Sequence, residues 1–252
     1  AHWDDAPIDI SPPTDDRPFV AQMGRWDQLD ARRPQQAMGF EFTGFPLAKL
    51  MILTVLVVAV AVGVPILLLP LRAEGARLQA ADWLYFAAIG IGYMVVEVVW
   101  IQQYNLFIGN SAHTFVIVLL GLLLSSGAGS FCSGRFGDRL PFAFVATWLV
   151  VHLLAFPMAV AFLGSLDFAW RVALSCLSVA PAGFFMGMAF PKAAARVGEL
   201  VDWGFAVNGV ASVFGATLAI FIAIHAGFAV TLLVGVFCYL VAMLLLGRMR
   251  VR

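Results

Sequence analysis

A single carboxylate stands inside an apolar stretch that is long enough to cross a membrane. The stretch covers residues 83–109, and Glu97 lies in its second half, followed by Gln102, Gln103 and Asn105. About 20 apolar residues span the ~30 Å hydrocarbon core of a bilayer. A carboxylate at that depth costs about 3 kcal/mol or more unless it is neutral, paired or next to water. We therefore expect other helices to surround this one and to receive its polar face.

The chemistry open to Glu97 is proton transfer or the binding of a cation. A helix rises ~1.5 Å per residue, so counting from the expected cytoplasmic end puts Glu97 about 21 Å deep and His152 about 18 Å deep. At a common depth these two side chains could share a proton or hold a cation, with Gln102 assisting. The alternative for His152 is a structural role as a hydrogen-bonded, buried imidazole. Asn208 is much shallower, so a direct contact between Asn208 and Glu97 is not expected.

Patterns of catalytic and cofactor-binding residues are absent from the sequence. The glycines of LLSSGAGSFCSG lie in an apolar stretch of helical length, rather than in a strand–loop–helix unit for a nucleotide. Neither a nucleophile elbow nor a metal-spaced set of His, Cys and Glu is present. The three cysteines, Cys132, Cys176 and Cys238, lie in apolar runs and form no short-spaced pair. The sequence thus predicts no catalytic residue, no metal and no cofactor for this chain.

The composition is typical of an integral membrane protein. Of the 252 residues, 62% are hydrophobic and 12% are charged, and the mean hydropathy is +0.93. Soluble domains are about half apolar and about a quarter charged. The net charge is zero, which gives no reason to expect nucleic acid as a partner.

The chain divides into a polar N-terminal segment and an apolar remainder. Residues 1–46 are rich in Asp and Pro, and we expect a mostly irregular segment on the membrane surface or against a partner, with disorder as the alternative. Residues 47–252 predict an all-α integral membrane domain, a compact bundle of about seven transmembrane helices joined by short linkers. The predicted spans are 47–71, 83–105, 113–132, 140–163, 171–190, 204–224 and 228–247.

The distribution of Lys and Arg predicts the orientation of the bundle. Cytoplasmic loops of membrane proteins carry an excess of these residues. The other predicted side has Lys49 and Arg171, with further arginines in the N-terminal segment that narrow the asymmetry. We expect a cytoplasmic C-terminus and an N-terminal segment outside. The residues on the predicted cytoplasmic side are Arg72, Arg77, Arg135, Arg139, Lys192, Arg196, Arg248, Arg250 and Arg252.

Regularly spaced small residues predict close contacts between helices. In the third predicted span four of them recur at every fourth position, and the sixth span repeats the pattern less regularly. Small residues at such spacing let helix backbones approach closely in lipid. We expect packing contacts here rather than a path for a substrate. The residues are Gly121, Ser125, Gly129 and Ser133 in the third span and Gly209 and Gly215 in the sixth.

Four stretches of the chain, in order, resemble a known family. They are PPTDDRPF (12–19), GYMVVEVVWIQQYNLFIGNSAHTFVIVLLGLLLSSGAGS (92–130), FFMGMAFPKA (184–193) and WGFAVNGVASVFGATLAIFIAIHAGF (203–228). The chain resembles the membrane region of membrane-bound spermidine-synthase-like proteins, in which an aminopropyltransferase domain precedes a helical membrane region. Asp15, Asp16 and Arg17 match the motif at the junction, and Asn208 lies in the last of the four stretches.

The resemblance implies a bacterial inner membrane and a connection with polyamines. It does not imply that this chain makes spermidine, because the family's Gly-rich cofactor loop and catalytic aspartates would lie before Ala1. Asp15 and Asp16 are not those aspartates. An enzyme domain in the cytoplasm would also conflict with an N-terminal segment outside.

Three functions follow from these observations. The first is a non-catalytic membrane module that anchors, or associates with, a partner protein or a larger membrane complex. The second is a transporter or channel for a small cation or a polyamine, with Glu97 as the charge partner. The third is the membrane part of an aminopropyltransferase.

Overall fold

The computed structural model describes residues 13–18, 24–28, 45–72, 78–109 and 111–249. Within these residues the regular structure is helical, without a β-strand. Short 3₁₀ turns lie at Trp26–Gln28, Ser133–Arg135 and Gly198–Leu200. The α-helices of the described chain are α1 (Leu47–Arg72), α2 (Ala80–Ile108), α3 (Ser111–Cys132), α4 (Leu140–Leu163), α5 (Phe168–Met186), α6 (Ala189–Val197) and α7 (Val201–Leu246).

Five helical segments of the described chain are long and apolar enough to cross a membrane, and not the predicted seven. The fifth segment covers 79 residues, so the last three predicted spans fall inside one continuous apolar stretch. The reason is that two predicted linkers are themselves helical. PKAAARVGELVDW forms most of α6 and a 3₁₀ turn, and HAG lies within α7. The five segments are Leu47–Ile66, Ala80–Ile108, Ala112–Arg135, Leu140–Leu163 and Phe168–Leu246.

Helix α7 is bent back on itself at Gly227. This residue has φ 90° and ψ 170°, a non-helical conformation that glycine adopts far more readily than other residues. Along α2 from its N-terminus, the residues of the first arm of α7 that it contacts have increasing residue numbers. Those of the second arm, after Gly227, have decreasing residue numbers. The contacts are Phe86 with Asn208 and Ile91 with Gly215 in the first arm, and Gly92 with Tyr239 and Val96 with Gly235 in the second. Helix α7 is therefore a helical hairpin with both arms packed on α2.

Helix α2 is at the centre of the fold. In its most apolar window 61% of the residues are buried, against 11% in the corresponding window of α1. Tyr85, Val96 and Trp100 of α2 are fully buried. The prediction that other helices surround this stretch is therefore confirmed.

Small residues bring α3 and α5 close together. A Cβ atom placed on Gly129 of α3 would overlap the carbonyl group of Phe184, and one on Gly187 would overlap the backbone of Ser126. Ser125 of α3 lies against Gly183 of α5. The helices can pack at this distance only because side chains are missing between them.

The other small residues that were predicted to make helix contacts have different surroundings. Gly215 of α7 approaches the backbone of Ile91, whereas Gly121 is in ordinary van der Waals contact with Val179. Ser133 lies in the 3₁₀ turn after α3. Gly209 is exposed, with no atom of the described chain within 4 Å of a Cβ placed there, so no described helix packs on it. Gly209 and Gly215 are six residues apart, and at 3.6 residues per turn they point to different faces of α7.

Candidate functional site

Glu97 is half-buried on α2. Among the described residues its carboxylate has no hydrogen bond and no ion pair. Tyr93, one helical turn away, is close enough to interact electrostatically with it. Tyr93 in turn contacts the side chain of Ser126 on α3. The central helix thus carries a carboxylate and a phenol one turn apart, and the phenol meets α3.

A polar cleft of about 360 Å³ lies beside this part of α2. It is bounded by α2, α3, both arms of α7 and the connection from α5 to α6. Its hydroxyl and amide groups can donate and accept hydrogen bonds, and the rest of its lining, such as Leu123, Met186 and Phe190, is apolar. The polar residues that line it are Tyr93, Ser126, Ser130, Asn208, Ser212 and Tyr239.

Asn208 is held in place at one end of the cleft. Its Nδ2 donates a hydrogen bond to the Phe86 carbonyl at 3.1 Å, and its own carbonyl accepts one from the Ser212 hydroxyl at 2.8 Å. A Cβ on Gly90 would lie 2.6 Å from the same carbonyl oxygen, so α2 and α7 touch here. The Oδ1 atom of Asn208 has no hydrogen bond within the described chain. Among the described residues no hydrogen bond joins Asn208 and Glu97.

Tyr239 comes from the second arm of α7 and is the most deeply buried polar residue of the cleft, with 1% of its surface exposed. Its hydroxyl makes no hydrogen bond to a described residue, and it lies near Tyr85 and Tyr93. Tyr85 differs, because its hydroxyl donates to the Ala189 carbonyl at 2.6 Å. Sequence analysis missed Tyr239, since nothing in the sequence shows that the chain folds back to α2 after Gly227.

His152 has a different partner from the one considered in the sequence. Its Nε2 lies 3.0 Å from the Oε1 of Gln103, to which it donates, and aromatic rings of Trp100, Tyr104 and Phe156 surround it at 5.1 to 5.9 Å. No contact between His152 and Glu97 is found among the described residues. The geometry is that of a structural, hydrogen-bonded imidazole. It also lines an aromatic cavity of about 270 Å³ between α2, α4 and α5.

Gln102 and Gln103 are adjacent but face different surroundings. Gln102 is exposed, whereas Gln103 is buried with 7% of its surface exposed. Helical periodicity puts residue 103 on the face of α2 that carries Trp100 and Phe107, at i−3 and i+4. This helical spacing is the feature of the sequence that indicates a contact of His152 with Gln103 rather than with Gln102.

Asp16 and Arg17 of the junction motif lie at the bend of α7. The Asp16 carboxylate accepts a hydrogen bond from the Ala229 amide at 2.8 Å, and the Asp16 carbonyl accepts one from the Phe228 amide at 3.0 Å. The Arg17 guanidinium donates to the Ile224 carbonyl at 3.1 Å. Asp15 is exposed. Arg17 therefore caps the end of the first arm of the hairpin, and Asp16 caps the start of the second.

A second contact holds the same end of α7. The Trp26 indole donates to His225 Nε2 at 2.9 Å, and the two rings stack with centroids 5.8 Å apart. Nδ1 of His225 donates to the Phe221 carbonyl at 2.7 Å. The described parts of the N-terminal segment thus pack on the bundle. The rest of residues 1–46 lies outside the described residues.

The opposite end of the bundle carries a cluster of charged residues. Asp138, before α4, is paired with Lys192 at 3.4 Å and with Arg196 at 2.5 Å, both from α6. The Lys192 ammonium also donates to the Phe136 carbonyl at 2.7 Å. Three of the residues predicted for the cytoplasmic side, Arg139, Lys192 and Arg196, are thus gathered at one end of the bundle. Arg77, Arg250 and Arg252 lie outside the described residues.

The fold and the site together define a class. The described chain is an all-helical bundle with five segments able to cross a membrane, compatible with a multi-pass membrane protein, and with a polar cleft beside its central helix. In the described residues no group of three or more His, Cys, Asp or Glu side chains is placed to bind a metal.

Comparison of the chain with models of known families, with characterised proteins and with solved structures finds no match. The resemblance to spermidine-synthase-like membrane proteins therefore stays a prediction from the sequence. The same holds for what depends on it, namely the polyamine connection and the bacterial inner membrane.

Proposed function

We propose that this chain is a multi-pass membrane protein that serves as a non-catalytic module and associates with a partner protein. The observation that carries the proposal is the position of α1. This helix has the highest hydropathy of the first four apolar segments, yet 11% of the residues in its apolar window are buried. More than half of the residue surface is exposed at Val55, Val57 and Val58 of this helix.

Within the described chain, helix α1 packs mainly on one neighbouring helix. Its main neighbour is α7, where Val210 packs on Gly63. The Lys49 ammonium at its start donates to the Gly24 carbonyl at 2.7 Å. Monomeric soluble proteins rarely expose continuous apolar surfaces of this extent. A bilayer covers such a helix, and a helix held on one side presents the other side to a neighbouring chain.

Site-specific photo-crosslinking in the native membrane tests the association. A photoreactive residue is placed at Val57 of α1 and, as a control, at Leu154 of α4, which is 68% exposed. We expect Val57 to form one defined crosslinked product with another polypeptide and Leu154 to react with lipid only. Crosslinks from neither position, or equal products from both, would contradict the proposal.

A second candidate function is the binding or passage of a small cation, and the unpaired Glu97 carboxylate favours it. A carboxylate inside a membrane balances an ammonium or metal cation, and the polar cleft begins one turn away at Tyr93. A polyamine is the guest that the sequence resemblance suggests.

Flux into liposomes tests this candidate. We expect uptake of a cation or polyamine by the wild-type chain and its loss in Glu97→Gln, because the amide cannot balance the charge. The control is Glu199→Gln, which removes an exposed carboxylate in the 3₁₀ turn before α7. No uptake by the wild type, or full uptake by Glu97→Gln, removes the second candidate and leaves the first untouched.

A further inference from the structure

We propose that the charged end of the bundle holds a binding site for the headgroup of an anionic phospholipid. The inference depends on the membrane location in the proposed function, but not on the partner or on Glu97. Its basis is a cavity of about 580 Å³ between the start of α4, the end of α6 and the end of α7. The lining residues used in the argument are Asp138, Arg139, Arg196, Met243 and Leu244.

Positive charge is in excess at this cavity. Asp138 is the acidic group that lines it, and its two oxygens are taken by Lys192 and Arg196. Arg139 also lines the cavity, and its guanidinium has no hydrogen bond or ion pair with a described residue. Two cations, Arg139 and Arg196, thus line the cavity with one carboxylate. An uncompensated guanidinium with its planar set of donors suits a phosphate group.

Three helix ends lie around the cavity, and the N-terminal one favours an anion. Arg139 is the N-cap residue of the 24-residue helix α4, so the positive end of that helix dipole is here. The negative end of α7 is also nearby, but its last carbonyls are occupied. Those of Leu245 and Leu246 accept hydrogen bonds from the amides of Arg248 and Met249. The start of α4 thus adds positive potential beside Arg139.

Apolar residues on one wall indicate a lipid rather than a free anion. Met243 and Leu244 belong to the apolar segment of α7 that is able to cross a membrane, and Leu244 is 66% exposed. A phosphodiester bound at Arg139 can extend an acyl chain along this wall. Basic pockets at the ends of membrane helices bind anionic lipid headgroups in this way.

Binding of short-chain lipids to the purified full-length chain in detergent tests the site. The ligands are dioctanoyl phosphatidylglycerol, dioctanoyl phosphatidylcholine and inorganic phosphate, and the variants are Arg139→Gln and Arg139→Lys. One basic side chain near a lipid headgroup is worth about 1 kcal/mol, hence about a fivefold change in affinity. We expect phosphatidylglycerol to bind tighter than the other two, Arg139→Gln to weaken it about fivefold, and Arg139→Lys to retain most of it.

The matched control is Arg25→Gln, which removes one positive charge at the other end of the bundle, near the bend of α7. Its lipid binding should equal that of the wild type. Equal affinity for the two lipids, equal effects of the two Gln variants, or binding of free phosphate as tight as that of phosphatidylglycerol would overturn the inference. The membrane fraction is measured in parallel. A wild-type chain outside the membrane contradicts the proposed function, whereas a membrane-bound chain without lipid preference contradicts only the lipid site.

Discussion

Asp16 and Arg17 stabilise the two arms of the α7 hairpin with opposite charges. The aspartate lies at the N-terminal end of the second arm and accepts hydrogen bonds from amides that have no partner within the helix. The arginine lies at the C-terminal end of the first arm and donates to a carbonyl. Both placements agree with the helix dipole, which favours anions at N-termini and cations at C-termini.

Replacement of Asp16 should therefore weaken the hairpin. We expect Asp16→Ala to lower the free energy of unfolding by about 1 kcal/mol, the usual effect of losing an N-cap. Asp16→Asn should lose much less, because an amide oxygen also accepts the Ala229 N–H. Thermal unfolding in detergent measures the difference.

Asp15→Ala is the control, since Asp15 is exposed and precedes the capping residue in the chain. We expect it to unfold with the wild type. Equal losses in Asp15→Ala and Asp16→Ala would show that the capping geometry is not what stabilises this end.

Sequence reasoning identified Asp16 and Arg17 as part of a motif but not what they contact. The Asp16 carboxylate and the Ala229 amide are separated by 213 residues, and no local pattern connects them. His152 shows the same limit at shorter range. Its depth was compared with that of Glu97, but the direction of a side chain decides its partner, and on α2 that direction favours Gln103.

The α7 hairpin depends on one glycine. Gly227 has a positive φ, and a Cβ atom there would also overlap the Asp16 carboxylate. We expect Gly227→Ala to lower the free energy of unfolding by about 1–3 kcal/mol, the usual strain of a non-glycine residue in a positive-φ, extended conformation. Gly209→Ala should be neutral or stabilising, because Gly209 is exposed in the first arm and alanine favours the helix. Unfolding effects of the same sign and size would contradict this account of the bend.

The α3–α5 contact offers a second matched pair. Gly129→Ala puts a methyl group into the Phe184 backbone, so we expect it to destabilise the bundle by about 1–3 kcal/mol, as overpacking does. Gly127 is two residues away, with no described atom within 4 Å of its Cβ position. Gly127→Ala should not destabilise. If both variants unfold alike, close packing of α3 on α5 is not what the small residues provide.

The residue types predict where the helices lie better than they predict how many separate membrane spans these helices form. The apolar lengths locate α1 to α5, and the four-residue spacing of small residues in α3 marks the face that meets α5. In the last third of the chain, charged residues and glycine predict loops between the spans. Alanine, lysine and arginine are good helix formers, however, and here they continue the helix. The six-residue spacing of Gly209 and Gly215 could not indicate a shared face.

At the scale of the whole molecule, one helix is central and one is peripheral. Helix α2 is enclosed by its neighbours, and the half-buried Glu97 and the polar cleft lie along it. The polar side chains in residues 83–109 predicted that enclosure, because charge in an apolar helix requires surrounding protein. The sparse packing of α1 could not be predicted from the sequence of α1, because it depends on which other helices pack against α7.

The central claim is that this 27.2 kDa chain is a membrane module that associates with another protein. The most direct test is the mass of the assembly extracted from its native membrane in a mild detergent and measured by native mass spectrometry. We predict a complex that contains this chain and a second polypeptide in a fixed ratio, and that dissociates when α1 is replaced by a polyleucine helix. A single chain of 27.2 kDa, alone in every preparation, would contradict the account.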